Sequence, residues 1–462
     1  MAFRRPTRFA GFTTIWFGQL LSALGTRMTN FALSIWVWDA TGRAFDLTML
    51  MACAFGATVI FSPIAGALVD RWGRRLTIVL SDIGSAVTTA VVLLLFLTGS
   101  VEVWHLYLVN LVTGAFLAFQ LPAYQATITV MMEKGQYPRA NAMMFAVRTI
   151  PVIFAPGFAA ALLGLMDIKV ILFIDALSYV VAIGAVLLVQ LPPVPRSTQP
   201  DDGGFWSDTV YGFRYILASR AFTGLEAIMF AINVLAAVGF ALLVPQILAR
   251  TDSSTNAVGL VQTIGAVGGV AGALLLGLLP NTRHKIRRML VAILVFSVLG
   301  RIIYGVGDSI IVWSVALLFL HLSIPFIDGY AQSVWQEKVE PSHQGRVFAA
   351  RQFIEDLAYP GGTALAGIAA DRWFEPMMRD GGPGVPYFGW LVGSGPGAGM
   401  GLIFVIVGLF GIGVAAAGFA SPSIRRMEVD LPDYDETPAV PAPLPAPTGT
   451  DELTDDRAVV AK

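Results

Sequence analysis

Twelve times along the chain an apolar stretch of about twenty residues or more is followed by a connection carrying charged or turn-forming residues. Few folds can hold such stretches. In hydrocarbon every backbone N–H and C=O must find a partner within the protein, which only helices and closed barrels achieve. A barrel strand needs only about ten residues and alternates polar with apolar positions. These stretches are longer and apolar on all sides, so each is predicted to be a membrane-spanning helix. The predicted spans are 9–38, 47–69, 76–97, 103–130, 142–165 and 168–191, then 222–248, 257–279, 289–306, 310–334, 347–370 and 397–420. The first is far longer than the apolar part of a cleavable signal peptide and is expected to stay in the protein.

The expected fold is an all-α membrane protein with twelve transmembrane helices in two pseudo-symmetric six-helix bundles. Its parts are an N-terminal bundle over 1–191, a linker over 192–220 with an amphipathic segment from Phe205, a C-terminal bundle over 221–420 and a disordered tail over 421–462. Only 13% of the residues are charged, half the share usual in soluble domains. Assigning alternate connections to one side gathers about twenty Lys and Arg there and leaves about five opposite, which places both termini in the cytoplasm. A net charge of −1, with basic residues dispersed among the connections, does not form a nucleic-acid-binding stripe. Cys53 is the only cysteine and the four histidines are scattered, so no internal disulfide, metal site or cofactor is expected.

Between the second and third spans lies Gly66-Ala67-Leu68-Val69-Asp70-Arg71-Trp72-Gly73-Arg74-Arg75. Gly66 and Ala67 allow a neighbouring backbone to approach, Gly73 permits the turn, and Arg71, Arg74 and Arg75 hold it at the cytoplasmic surface. The halves also repeat one another. Phe145-Ala146-Val147-Arg148 with Ala155-Pro156-Gly157 returns as Phe348-Ala349-Ala350-Arg351 with Tyr359-Pro360-Gly361, and Met131-Met132-Glu133-Lys134 returns as Trp335-Gln336-Glu337-Lys338. Repeats of this kind are how many transporters build a site at the bilayer midplane.

The stretch from Gly66 to Arg75 resembles the G-x-L-x-D-R-x-G-R-[RK] signature of the major facilitator superfamily. Trp335 to Val339, Gln344 to Phe348 and Ala369 to Pro376 resemble the branch that contains macrolide efflux proteins and the enterobactin exporter. The resemblance implies a monomeric carrier in a bacterial cytoplasmic membrane that exports an amphipathic organic small molecule in exchange for protons. It assigns gating to Gly66, Asp70, Arg71, Gly73, Arg74 and Arg75. Ala155-Pro156-Gly157-Phe158-Ala159 stands where related drug exporters carry a Gly-Pro antiporter signature. An importer or lipid-handling carrier of the same fold, and a non-transporting receptor, remain as alternatives. An enzyme is not expected, because Gly-x-Ser-x-Gly, His-Glu-x-x-His and Walker motifs are all missing from the sequence.

Ionisable residues inside spans cost several kcal/mol unless paired or wetted, which makes them candidates for coupling and cavity charge. These are Arg27, Glu226, Asp328, Glu355 and Asp356, with Arg27 expected to pair with one of the last two; Asp175 and Arg301 are expected to be structural. Asp82, near the inner surface, is expected to join the loop network. Pro122, Pro156, Pro325 and Pro360 are expected to kink cavity-lining helices. Gly265, Gly268, Gly269 and Gly272 give the small-residue spacing of close helix packing. Asp70 is expected to face the start of the eleventh span near Arg346.

Overall fold

A computed structural model describes residues 8–72, 74–131, 137–189, 205–280, 282–431 and 433. Every regular element among them is helical. In chain order these are α1 (Arg8–Thr41), α2 (Ala44–Trp72), α3 (Arg74–Thr98), α4 (Val103–Met131), α5 (Tyr137–Leu163) and α6 (Ile168–Leu188). Then come α7 (Phe205–Ala218), α8 (Arg220–Arg250), α9 (Thr255–Leu278), α10 (Lys285–Val306), α11 (Ile310–Lys338), α12 (Pro341–Ala369), α13 (Val385–Val392) and α14 (Ala398–Ala420). α1–α6, α8–α12 and α14 are the twelve long helices. They run alternately between a basal face, where α1 begins, and an apical face, where it ends, joined by short links except before α8 and α14.

Side-chain caps set several of the starts: Ser219, Ser254 and Ser309 accept the N–H groups of Phe222, Ala257 and Val312, satisfying donors that the first helical turn leaves open. Nine of the long helices are apolar enough to cross a membrane by length and composition. α1 and α12 fall short because their mid-span residues include Gln19, Thr26, Arg27, Asn30, Arg351, Gln352, Glu355 and Asp356.

Within the C-terminal half, α9 and α11 pack through the expected small residues. A Cβ at Gly268 would lie 2.2 Å from the Leu318 carbonyl oxygen, and one at Gly272 would lie 2.3 Å from that of Leu322. The N-terminal half repeats the device between α2 and α4, where a Cβ at Gly114 would meet the Ala54 oxygen at 2.2 Å. Gly272→Val therefore forces two backbones apart, and we expect it to cost at least the 1–3 kcal/mol typical of overpacking; an unchanged melting temperature of the purified protein would contradict this.

The halves meet through α2 against α12 and α5 against α9. Phe55 and Tyr359 pack ring to ring at 5.1 Å across the first contact. Gly259 of α9 presses on Ala160 and the Pro156 carbonyl across the second. α7 lies under the start of α12, with Gly212 against the Arg346 carbonyl and Tyr211 under the Arg346 guanidinium.

Two expectations about ordered chain need correction. Helix continues past residue 370 through a π-helical segment, Ala370–Phe374, to Met378, and the following connection contains α13. Beyond α14 the chain is not disordered from Ser421: Pro422–Arg425 and Met427–Asp430 form short helices with Ile424 and Met427 buried. Lys338 holds this segment through Asp433 at 2.7 Å and the Glu428 carbonyl. The Pro- and Ala-rich part of the tail begins only at Pro438, outside the described residues.

Candidate functional site

Arg351 is the centre of the polar residues buried in the C-terminal half. It lies about 15 Å along α12 from its basal start, given 1.5 Å per residue. Its Nε donates to Glu355 Oε1 at 2.8 Å and its Nη1 to Gln332 Oε1 of α11 at 2.7 Å. The guanidinium also lies over the rings of Trp335 and Phe348, at 5.8 and 6.0 Å. Trp335 is fixed in turn by stacking on Phe222 of α8 at 4.6 Å. Arg351 and Glu355 are both nearly buried, and their i, i+4 spacing sets them on one helix face.

Two further acids surround this pair. Glu226 of α8 is 3% exposed, and neither of its carboxyl oxygens has a hydrogen-bond partner. Asp328 of α11 is exposed at mid-span. Both acids interact electrostatically with Glu355 and with Arg351. Asp356 accepts from Gln352 Nε2 at 2.8 Å, and one turn on Tyr359 donates to Asn233 Oδ1 at 3.2 Å. The result is three carboxyl groups around one guanidinium in the basal half of α8, α11 and α12, with Asp356 on the adjoining turn.

The expected pairing of Arg27 with Glu355 or Asp356 is not formed. Glu355 takes Arg351 from its own helix, which needs no bridge between the halves. Arg27 has no ion pair among the described residues and is exposed on α1 beside exposed Asn30. An exposed arginine at mid-span faces water, because contact with lipid tails would be too costly. Asp328, Gln352 and Asp356, all at least partly exposed, meet the same condition from the other half.

In the N-terminal half buried Asp46 pairs with Arg43 at 2.8 Å, whereas Asp82 and Asp175 have no basic partner among the described residues. Asp82 does not join a surface network: it is fully buried, clasped by Gln19 Nε2 and Gln120 Nε2, each at 2.7 Å. Asp175 is held by Thr26 and Thr89 hydroxyls, both at 3.2 Å. Arg301 is fully buried in a π-helical turn of α10, donates to the Ala236 carbonyl, and stacks on Phe240 and Phe296, both at 4.9 Å. Aromatic faces thus stand in for a carboxylate.

Pro156, Pro325 and Pro360 lie inside α5, α11 and α12 as expected. The side chains of Gly66, Asp70, Arg71, Gly73, Arg74 and Pro122 lie outside the described residues. Arg75 donates to the Leu187 carbonyl at 2.7 Å, tying α3 to α6. Among the described residues no group of three or more His, Cys, Asp or Glu is placed to hold a metal.

At the apical face a surface pocket of about 700 Å³ is lined by Trp38 and Arg43 of one half and Asp371, Glu375 and Arg379 of the other. Asp371 accepts the N–H groups of Ala44 and Phe45; Glu375 accepts those of Gly397 and Met400. Burial pushes both carboxyls above the ordinary carboxylate range, against the pull of those N–H groups. Each therefore takes up its proton at a higher pH than an ordinary carboxyl of its kind.

Residues 15–363 match the family model described as Major Facilitator Superfamily. Macrolide efflux protein A of Streptococcus pyogenes is 26% identical over 373 residues, 79% of this chain and 91% of the relative. Multidrug efflux pump Tap of Mycolicibacterium fortuitum is 24% identical over 370 residues, 77% of this chain and 88% of the pump. A bacterial homologue of the human lysosomal transporter Spinster, solved inward-facing and unoccupied, superposes with a TM-score of 0.67 at 16% identity, over 92% of this chain and 98% of the homologue. The nucleoside transporter NupG superposes with a TM-score of 0.64 at 14% identity, over 89% and 98%.

Proposed function

The chain belongs to the Major Facilitator Superfamily, and from that premise we propose that it is a proton-coupled exporter that expels an amphipathic organic compound by alternating access. The observation that carries this reading is the surplus of carboxyl groups around Arg351, with Glu226 buried and bonded to nothing among the described residues. A charge left so would be too costly in hydrocarbon, so the arrangement suits an acid that carries a proton in this state. The relatives named for macrolide and multidrug efflux support export as the direction.

In this reading the basal face is cytoplasmic, as the gathering of Lys and Arg there requires. Protonated Glu226 leaves the bonds of Arg351 to Glu355 and Gln332 intact. Loss of that proton to the cytoplasm sets a further negative charge beside Arg351, which loosens those bonds and changes the wall that cargo meets. Arg27 and Asp328 face water from opposite halves and supply one charge of each sign to an amphipathic cargo. Proton and cargo then bind in competition, and the coupling is reciprocal.

Everted membrane vesicles test the direction. With an acidic lumen we expect uptake of a radiolabelled macrolide or a fluorescent amphipathic dye, abolished by a protonophore. Accumulation of the same compounds only in right-side-out vesicles would overturn export.

A further inference from the structure

Asp371 joins the two halves at the apical face by a contact that ordinary helix packing does not require. It lies in the π-helical segment Ala370–Phe374 at the end of α12, where a widened turn re-aims a side chain. Its Oδ1 accepts the Ala44 N–H at 3.1 Å and its Oδ2 accepts the Phe45 N–H at 2.8 Å. Those are the first two donors of α2, which that helix cannot satisfy itself, and they lie at its positive end. One carboxylate of the C-terminal half thus caps a helix of the N-terminal half.

The backbones are close at the same place. A Cβ at Gly367, one turn before Asp371, would lie 2.0 Å from Thr48 Oγ1 and 2.7 Å from Phe45 Cα. α2 and α12 run in opposite directions, and Asp371, at the end of α12, reaches the start of α2. Asp70 stands near the basal end of α2, as Asp371 stands at the apical end of α12.

We propose that Asp371 is the latch that holds the apical face closed, the opposite-face counterpart of the contact expected between Asp70 and the start of α12. The proposal rests on the alternating-access reading above. Opening the apical face separates α2 from α12 there and strips both α2 donors of their acceptor. Charged acceptors bond backbone donors more strongly than neutral ones, so an acid at this position favours the closed face more than an amide can. An amide in place of the acid keeps one acceptor and turns an N–H₂ donor toward the second N–H.

Spin labels at Thr41→Cys and Tyr387→Cys, in a Cys53→Ala background of the full chain in lipid nanodiscs, report the distance across the apical face without any cargo. Asp371→Asn is expected to raise the ratio of long-distance to short-distance populations on the order of tenfold, the loss of one charge-assisted bond, and Asp371→Ala to raise it further. Gly367→Val, which drives a side chain into Thr48, opens the same face with Asp371 intact and shows that the labels report opening. Distance distributions unchanged in both Asp371 variants while Gly367→Val shifts them would overturn the latch. A response of the distances to Asp371 in a protein that moves no compound in vesicles would leave the latch standing and sink the transport reading instead.

Discussion

Arg351→Met is expected to do the greatest damage of any single change in the polar cluster. It strands Glu355, which is 9% exposed, and leaves the Gln332 carbonyl oxygen without its donor. Removing one partner of a buried pair typically costs about 3–5 kcal/mol, because the remaining charge is uncompensated. Replacing both partners with apolar residues is often close to neutral. Arg351→Met should therefore lower the melting temperature of the purified protein sharply, and Arg351→Met with Glu355→Leu should restore most of the loss. Both variants should fail to transport, the double one with its fold intact. If the single and double variants melt alike, the pair contributes nothing as a pair, and Arg351 acts only by filling space beside Trp335.

Glu226→Gln is expected to separate exchange of cargo from its energy source. The amide has the shape of the protonated acid, so the arrangement around Arg351 should persist and the protein should fold. An amide cannot release a proton between pH 5 and 9. Uptake driven by a pH gradient should fall at least tenfold, the rate cost of about 1.4 kcal/mol. Counterflow, in which unlabelled cargo inside the vesicle exchanges for labelled cargo outside, should continue near the wild-type rate. Loss of both activities together would mean that Glu226 serves structure or cargo binding instead, and would move the coupling role to Asp328.

The twelve long helices were legible because length and hydropathy alone announce a helix in hydrocarbon, and each predicted span falls within, or a few residues beyond, an observed one. Their ends were less so. α12 begins at Pro341, six residues before the predicted span, because Ser342, His343, Gln344 and Arg346 form a polar first turn that hydropathy does not detect. A proline at the first helical position is the signal that marks such a start.

The acids of the site were legible as costly groups at mid-span, whereas the partner of Glu355 was not. Arg27 drew attention by sitting alone on an apolar helix. Arg351 sat in the repeated Phe-Ala-x-Arg string and read as an echo of Arg148. The signal that would have chosen correctly is local: four residues separate Arg351 from Glu355, and a side-chain pair within one helix forms without any docking of the halves. Asp371 falls just beyond the predicted span 347–370, since a π-helical turn has no signature in sequence and its target, the open N–H groups of α2, belongs to the other half.

In the proposed mechanism, cargo leaves only as protons enter through the acids around Arg351. Proteoliposomes that hold the purified protein, a weak internal buffer and a pH-sensitive dye measure this directly once a cargo gradient is imposed with no initial pH difference. Protons should move opposite to the cargo in the wild-type protein, and the dye should stay silent in Glu226→Gln while labelled cargo still exchanges. Downhill movement of cargo through the wild-type protein with no change in internal pH would contradict the claim.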